Sequence, residues 1–321
     1  MEIALKASPE IVRRYTSLFV NRRAYTLQSS RPHPGSGRHY YFRPKARGTD
    51  EELSLTAATI RRHLEGEITI GLYAINPATQ RSKWVAIDAD YPNAMEDLLK
   101  LQYSLHQDNV EAALEMSKRG GHLWIFMDQP ALARECRIYI YNLALKLGMR
   151  IKGPGLAEGI EIFPKHDELR EGEFGNAIRG PLGIHRGANR RYWFYGADYD
   201  LEKQMAYLNR LRKVSEEHLQ SFIASKSMPP EFERKRNASD QPFIRSPGHE
   251  FRILDHIGNV RKVGRNYVTQ YPSCAEAGQD RSGDNLAISI DDPRKYICWA
   301  GCSREMIRQA VGCPIPVRRS A

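Results

Sequence analysis

The chain has 321 residues, 41% of them hydrophobic and 27% charged, proportions of a folded globular protein and not of a disordered one. No apolar run approaches bilayer-spanning length, and the opening segment carries Glu2 and Lys6 where a leader would have a basic stretch running into an apolar one, so no membrane association is expected and the location expected is cytoplasmic. A formal charge of +10 favours a polyanionic partner, nucleic acid first, although a basic enzyme of another class would carry such a charge too.

Residues 9–20 space apolar side chains helically behind Ser8, an N-cap, with Pro9 at the first helical position. The stretch from Arg31 to Thr49 is rich in Pro, Gly, Arg and His and predicts a long irregular connection. A helix follows Ser54 or Thr56 and stops at Gly66, and residues 68–75 have the β-branched and aromatic content of a strand. KWVAIDADY, residues 83–91, reads as a buried strand ending in two aspartates. A helix from Asn93 to His106 precedes VEAALEMS, and a Gly-rich turn then feeds the apolar strand of GGHLWIFMD. Residues 130–149 are helical in period, 159–165 form a short strand, and one charged amphipathic helix is expected from Leu201 to Lys226. SMPPEFERKRNASDQP, residues 227–242, has linker composition. The expected organisation is a catalytic domain over 1–226, that linker, and a small module over 243–321.

The chemistry is concentrated in three segments. Nucleotidyl transfer uses paired divalent cations held by clustered carboxylates at a rigid edge. Asp88 and Asp90 suit this, because residues two apart in a strand point to one side and the run Trp84 to Ile87 just before them supplies rigidity. A D-x-D pair without such a run is ordinarily a solvated turn. Glu161 is a third candidate ligand, a single acid interrupting the apolar strand of Ile160, Ile162 and Phe163. In SKRGGHLWIF, residues 117–126, Gly120 and Gly121 would let the backbone approach a phosphate, Lys118 and Arg119 add positive charge, and His122 enters the next strand as a donor. That set suits a triphosphate.

In this order, WVAIDAD, SKRGGHLWIF and EIFPK resemble the archaeo-eukaryotic primase superfamily, whose pattern is a D-x-D strand, a Ser/Gly/His motif and a strand with a third acid. HLEGEITIGLY and GNAIRGPLG add a resemblance to the primase-polymerases of conflict systems, CRISPR-associated loci and mobile elements. The resemblance spans roughly residues 15–200. It implies an α/β fold, in which an N-terminal α/β module packs against a module like an RNA-recognition motif, with the active site in the cleft between them. It implies that Asp88, Asp90 and Glu161 bind two Mg²⁺ or Mn²⁺ ions and that Ser117 and His122 contact the incoming nucleotide. Arg119, Gly121, Lys165, Asn176 and Arg179 are further candidate nucleotide or template contacts. The partners implied are a single-stranded DNA or RNA template with its primer, dNTP or NTP, and a helicase or nuclease partner.

Of five cysteines, Cys136 stands alone and four crowd the C-terminal end, which suggests a metal site and not a secreted disulfide framework. Residues 249–313 resemble the zinc-ribbon element attached to many primases. Tetrahedral Zn²⁺ takes four Cys or His ligands. Cys274, Cys298 and Cys302 are well placed, but Tyr271 stands where the first cysteine is usual, so the fourth ligand is His256 or His249, or the element keeps its shape without metal. Arg261, Lys262, Arg265, Arg294 and Lys295 would offer a basic surface for template or primer. Two rival readings stay open: a catalytically inactive module that grips single-stranded nucleic acid, and a metal-dependent nuclease.

Overall fold

Helix α1 (Pro9–Phe19) starts as the sequence predicts, with the Ser8 side chain accepting a hydrogen bond from the Ile11 amide and Pro9 in the first turn. Its apolar face, Ile11, Tyr15, Leu18 and Phe19, is buried. The computed structural model describes residues 5–153, 156, 158–233, 251, 253–270, 283–299 and 302–313, and the chain divides into two units between Lys235 and Arg236. In the first unit, α1 is followed by β1 (Tyr25–Gln28), β2 (Tyr41–Phe42), α2 (Ala57–Leu64) and β3 (Ile70–Tyr73). Of the two candidate caps Thr56 is the one used, and Gly66 takes the left-handed backbone (φ 87°) that ends the helical segment. The 31–49 connection is not wholly irregular, because β2 pairs with β1 through Leu27 and Phe42. With β8 (Ala177–Arg179) these strands form an antiparallel sheet of order β2-β1-β3-β8.

The second sheet follows directly in sequence: β4 (Arg81–Ala89), α3 (Ala94–Gln107), β5 (Ala112–Met116), β6 (Gly121–Leu132), α4 (Ala133–Lys146) and β7 (Glu161–Phe163). Its order is β5-β6-β4-β7, with every neighbour antiparallel, the split β-α-β-β-α-β arrangement expected of the module like an RNA-recognition motif. Both faces of β4 are covered, which is why it reads as an unbroken apolar run and not as an alternation. Trp84 and Ala86 join a core with α1, Ile70, Leu72, Trp124 and Phe126. Val85 and Ile87 join another with Leu98 and Leu101 of α3 and Ile140 of α4. Phe19 meets Trp124 and Phe126 edge-on at 5.3 and 5.4 Å, and the Trp84 indole donates to the Phe19 carbonyl at 2.9 Å, so the first helix is tied to the middle of the second sheet. Burying one such ring contributes on the order of 2 kcal/mol.

The hairpin β9 (Ile184–His185) and β10 (Arg190–Arg191) follows β8. The single helix expected over 201–226 is two, α5 (Leu201–Arg210) and α6 (Glu216–Ile223). Between them Val214 is buried and exchanges backbone hydrogen bonds with β6, its amide to Phe126 and its carbonyl from Asp128, so the chain must be extended there. Residues 227–233, whose composition suggests a linker, pack on the first unit: Met228 is 2% exposed and the Phe232 ring lies 4.8 Å from Tyr141.

In the second unit β11 (Arg261–Val263), β12 (Asn266–Thr269), β13 (Leu286–Ser289) and β14 (Tyr296–Cys298) form an antiparallel meander, followed by α7 (Arg304–Ala310). Its small core gathers Ile253, Leu286, Ile288, Cys298 and Ile307. Among the described residues no helix is long and apolar enough to cross a membrane.

Candidate active site

The register of the second sheet places Glu115 opposite His122, His122 opposite Asp88, and Asp88 opposite Glu161. Directly opposed residues share a face, so four titratable side chains form one line across four strands. Asp88 and His122 lie an even number of positions from Trp84 and Trp124, so this line lies on the face turned toward α1 and the first sheet. Asp90, two positions beyond Asp88, continues that side past the end of β4.

The line is held by ion pairs. His122 donates from Nδ1 to Glu115 at 2.8 Å and turns Nε2 toward Asp88 at 3.5 Å. Burial opposes the charged imidazole, yet the charges of Asp88 and Glu115 outweigh it and raise its pKa to about 9. Glu115 has no exposed surface and also accepts from Arg179 at 2.7 Å and from the Trp124 indole at 3.3 Å. Burial pushes the Glu115 carboxyl up, but Arg179 and His122 bring it below the usual range. Glu161 is contacted by Lys152 and Lys165, whose hydrogen bonds outweigh its partial burial and lower its pKa. Asp90 accepts from Arg119 at 2.6 Å and from the Ser117 hydroxyl at 3.1 Å.

Two motif segments serve this arrangement from behind. The His63 imidazole is buried against the Pro181 carbonyl at 3.1 Å, its pKa pushed down to about 4 by burial. A Cβ on Gly183 would fall 1.9 Å from that ring. HLEGEITIGLY and GNAIRGPLG therefore pack on each other and align β3 with β8, setting Gly71 opposite Arg179. Gly120 and Gly121 also have a structural reason. A Cβ on Gly120 would lie 2.0 Å from the Ala89 carbonyl oxygen, and one on Gly121 2.9 Å from that of Glu115, so close packing of the turn on β4 and β5 requires glycine there.

A cleft of about 330 Å³ collects Asp88, Asp90, Ser117, His122, Glu161, Lys165, Asn176 and Arg179. These are eight of the ten residues expected on the catalytic domain. Gly121 does not line it, and Arg119 reaches it through Asp90. Arg179 borders the cleft, and its guanidinium donates to Glu115 and the Gly180 carbonyl. Lys118, expected to add positive charge, lines the cleft too, whereas sequence reasoning missed Tyr41 and His185 there, as well as Lys152 and Glu115. Glu115 carried the signal used for Glu161, a lone acid in an apolar strand.

The donors match a hard divalent cation in kind: Asp88 Oδ1 is buried with no hydrogen-bond partner, and carboxylate oxygens are the ligands such ions take. Among the described residues no three His, Cys, Asp or Glu side chains are closed into a metal-holding group, since Asp90 is drawn to Arg119 and Glu161 to the two lysines. In the second unit, Cys298 is 2% exposed and packs in the core near Cys302, while Cys274 lies outside the described residues. His256 stacks on Phe251 and lies 3.6 Å from the sulfur of Cys313. Arg261, Arg265, Arg294 and Lys295, expected to offer a basic surface, pair with Asp284, Asp291 and Asp292.

Residues 16–222 match the model of the archaeo-eukaryotic primase domain of TOTE conflict systems. The chain belongs to that family. The match spans both sheets of the first unit and every residue that lines the cleft. Among solved structures, this primase-family chain is similar to the catalytic domain of primase RepB' in complex with initiator DNA, at 11% identity over 66% of this chain and 92% of that one, TM-score 0.34. It is also similar to the polymerase domain of Mycobacterium tuberculosis ligase D in complex with DNA, at 11% identity over 67% and 88%, TM-score 0.27. No curated protein matches it.

Proposed function

We propose that this primase-family chain is a template-dependent nucleotidyltransferase, a primase-polymerase that joins nucleoside triphosphates for primer synthesis or strand extension on single-stranded nucleic acid. The observation that carries the reading is the line Glu115, His122, Asp88, Glu161, which brings the acids, the imidazole and the Ser117 turn to one cleft. A binding module would have no use for a buried network that keeps a cationic imidazole facing a carboxylate at the cleft.

Asp88, Asp90 and Glu161 would hold the divalent ions, Mg²⁺ or Mn²⁺. When bound, these activate the attacking 3′ hydroxyl and offset charge on the triphosphate. The protein's own share is positioning and charge. His122, cationic at neutral pH, holds its Nε2 proton toward the cleft as a donor for a phosphoryl oxygen. Glu115 and Arg179 keep the ring from rotating. Lys165 and Lys152 balance Glu161 until it is engaged, then stand free to meet the leaving pyrophosphate, and Arg119 stands in the same relation to Asp90. Preorganised donors of this kind stabilise charge that develops in the transition state at no reorganisation cost. In the C-terminal unit the candidate zinc ligands are Cys274, Cys298 and Cys302, with His256 to complete the set to four.

The test is synthesis on unprimed single-stranded DNA with Mg²⁺ or Mn²⁺ and labelled ribo- and deoxyribonucleotides, resolved on a denaturing gel beside Asp88→Ala. A ladder absent from the variant is the expected result. Extension of an annealed primer alone would make the enzyme a polymerase without priming. Silence in both assays with strand binding intact would overturn the catalytic reading.

A further inference from the structure

The outer edge of β5 is covered by residues 193–195: the Tyr195 amide donates to the Leu114 carbonyl at 2.8 Å, and the Met116 amide to the Trp193 carbonyl at 3.3 Å. Beside this edge lies a groove of about 480 Å³, bounded by Met116 and the segment from Arg190 to Tyr199. Its wall is aromatic and wet. Tyr199 is 74% exposed and Tyr195 44%. Trp193 stacks on Tyr199 with planes 23° apart, so one tyrosine face is covered and the other is open to solvent. Burial would be the ordinary fate of such rings, and clustered exposure of this kind marks a contact surface.

The chemistry of the wall specifies the partner. Arg190 contributes a cation at the groove, and Asp198, its one carboxylate, is engaged by Lys203 at 2.7 Å, so the unbalanced charge is positive. Flat rings with an open face beside a cation receive nucleobases while the cation meets phosphate. Only unpaired bases can stack in this way. Position points the same way, since Met116 lines the groove and Ser117, the next residue, lines the catalytic cleft. We propose that this groove is a platform for single-stranded nucleic acid, with bases stacked on Tyr199 and Tyr195 and the backbone held at Arg190, and that it leads a strand to the nucleotide cleft. The path into the cleft rests on the primase-polymerase reading; the binding does not.

The test is fluorescence anisotropy of the full chain in EDTA, where no chemistry proceeds, with labelled oligo-dT, oligo-U and a blunt duplex. Tyr199→Ala should weaken single-strand binding about tenfold and leave the duplex unchanged, and Tyr199→Phe should bind as wild type does. A larger loss on oligo-dT or on oligo-U identifies DNA or RNA as the strand preferred. As a check independent of Tyr199, added strand should quench a fluorescence component that is missing in Trp193→Phe. Unchanged affinity of Tyr199→Ala, or an equal loss on the duplex, overturns the platform. Loss of synthesis in Asp88→Ala is read separately, so the groove and the catalytic reading fail independently.

Discussion

Glu115 accepts hydrogen bonds from His122, Arg179 and Trp124 in a place with no access to water. A buried carboxylate so matched is costly to alter by halves, since removing one charge leaves the others without compensation. Glu115→Gln keeps the shape and should cost about 3 kcal/mol of stability, measured by urea unfolding. It should also lower the titration of His122, followed by NMR in metal-free buffer, from about 9 toward the ordinary value. The sign follows from linkage. A histidine whose folded pKa is raised contributes stability that is complete below its unfolded pKa, about 6.5, and lost as pH rises through the folded one. Wild type should therefore lose stability between pH 6.5 and 9, and Glu115→Gln should lose less over that interval. Parallel curves for the two proteins would sink the coupling.

Elements set the turn between β5 and β6. Gly120 sits where the turn crosses the end of β4, and any side chain there presses on the Ala89 carbonyl. Overpacking of backbone against backbone cannot be relieved by a rotamer change, so Gly120→Ala should destabilise by about 2 kcal/mol. If glycine were there only to admit a phosphate, the variant would keep its unfolding midpoint and show only a raised KM for nucleotide. The break between α5 and α6 has a comparable origin. A charged amphipathic pattern continues through it, but Val214 supplies a backbone rung to β6, and a sheet hydrogen bond with burial outweighs a weak local helix preference.

The division of the chain lies at Lys235 and Arg236, inside the 227–242 segment whose composition suggests a linker. The polar and proline-rich look of 227–242 hides two apolar anchors. Met228 is buried and Phe232 covers Tyr141, while Arg137 donates to the Phe232 carbonyl at 3.3 Å. A chain ended at Lys226 should unfold about 3 kcal/mol more easily than one ended at Lys235, by the loss of those two side chains. Equal midpoints would mean that the segment contributes nothing to the first unit.

How much of this could be read beforehand depended on whether the signal was local. The D-x-D strand, the Ser8 cap, the order of strands and helices and the family motifs are local patterns, in which side-chain period and turn chemistry act over a few residues. Glu161 could be singled out because an acid in an apolar strand needs a reason. The reason itself was not local. Cross-strand register aligns Glu115, His122, Asp88 and Glu161, residues from four separate strands, and no spacing in the chain encodes that line. Likewise, the sequence suggests phosphate binding for Gly120 and a nucleotide contact for Arg179. The folded chain packs the first against Ala89 and holds the second on Glu115 and the Gly180 carbonyl, because a buried guanidinium needs its donors and charge matched. The types of element and the identity of the acids were written in the residues; their partners arose only when the strands of two sheets closed over one core.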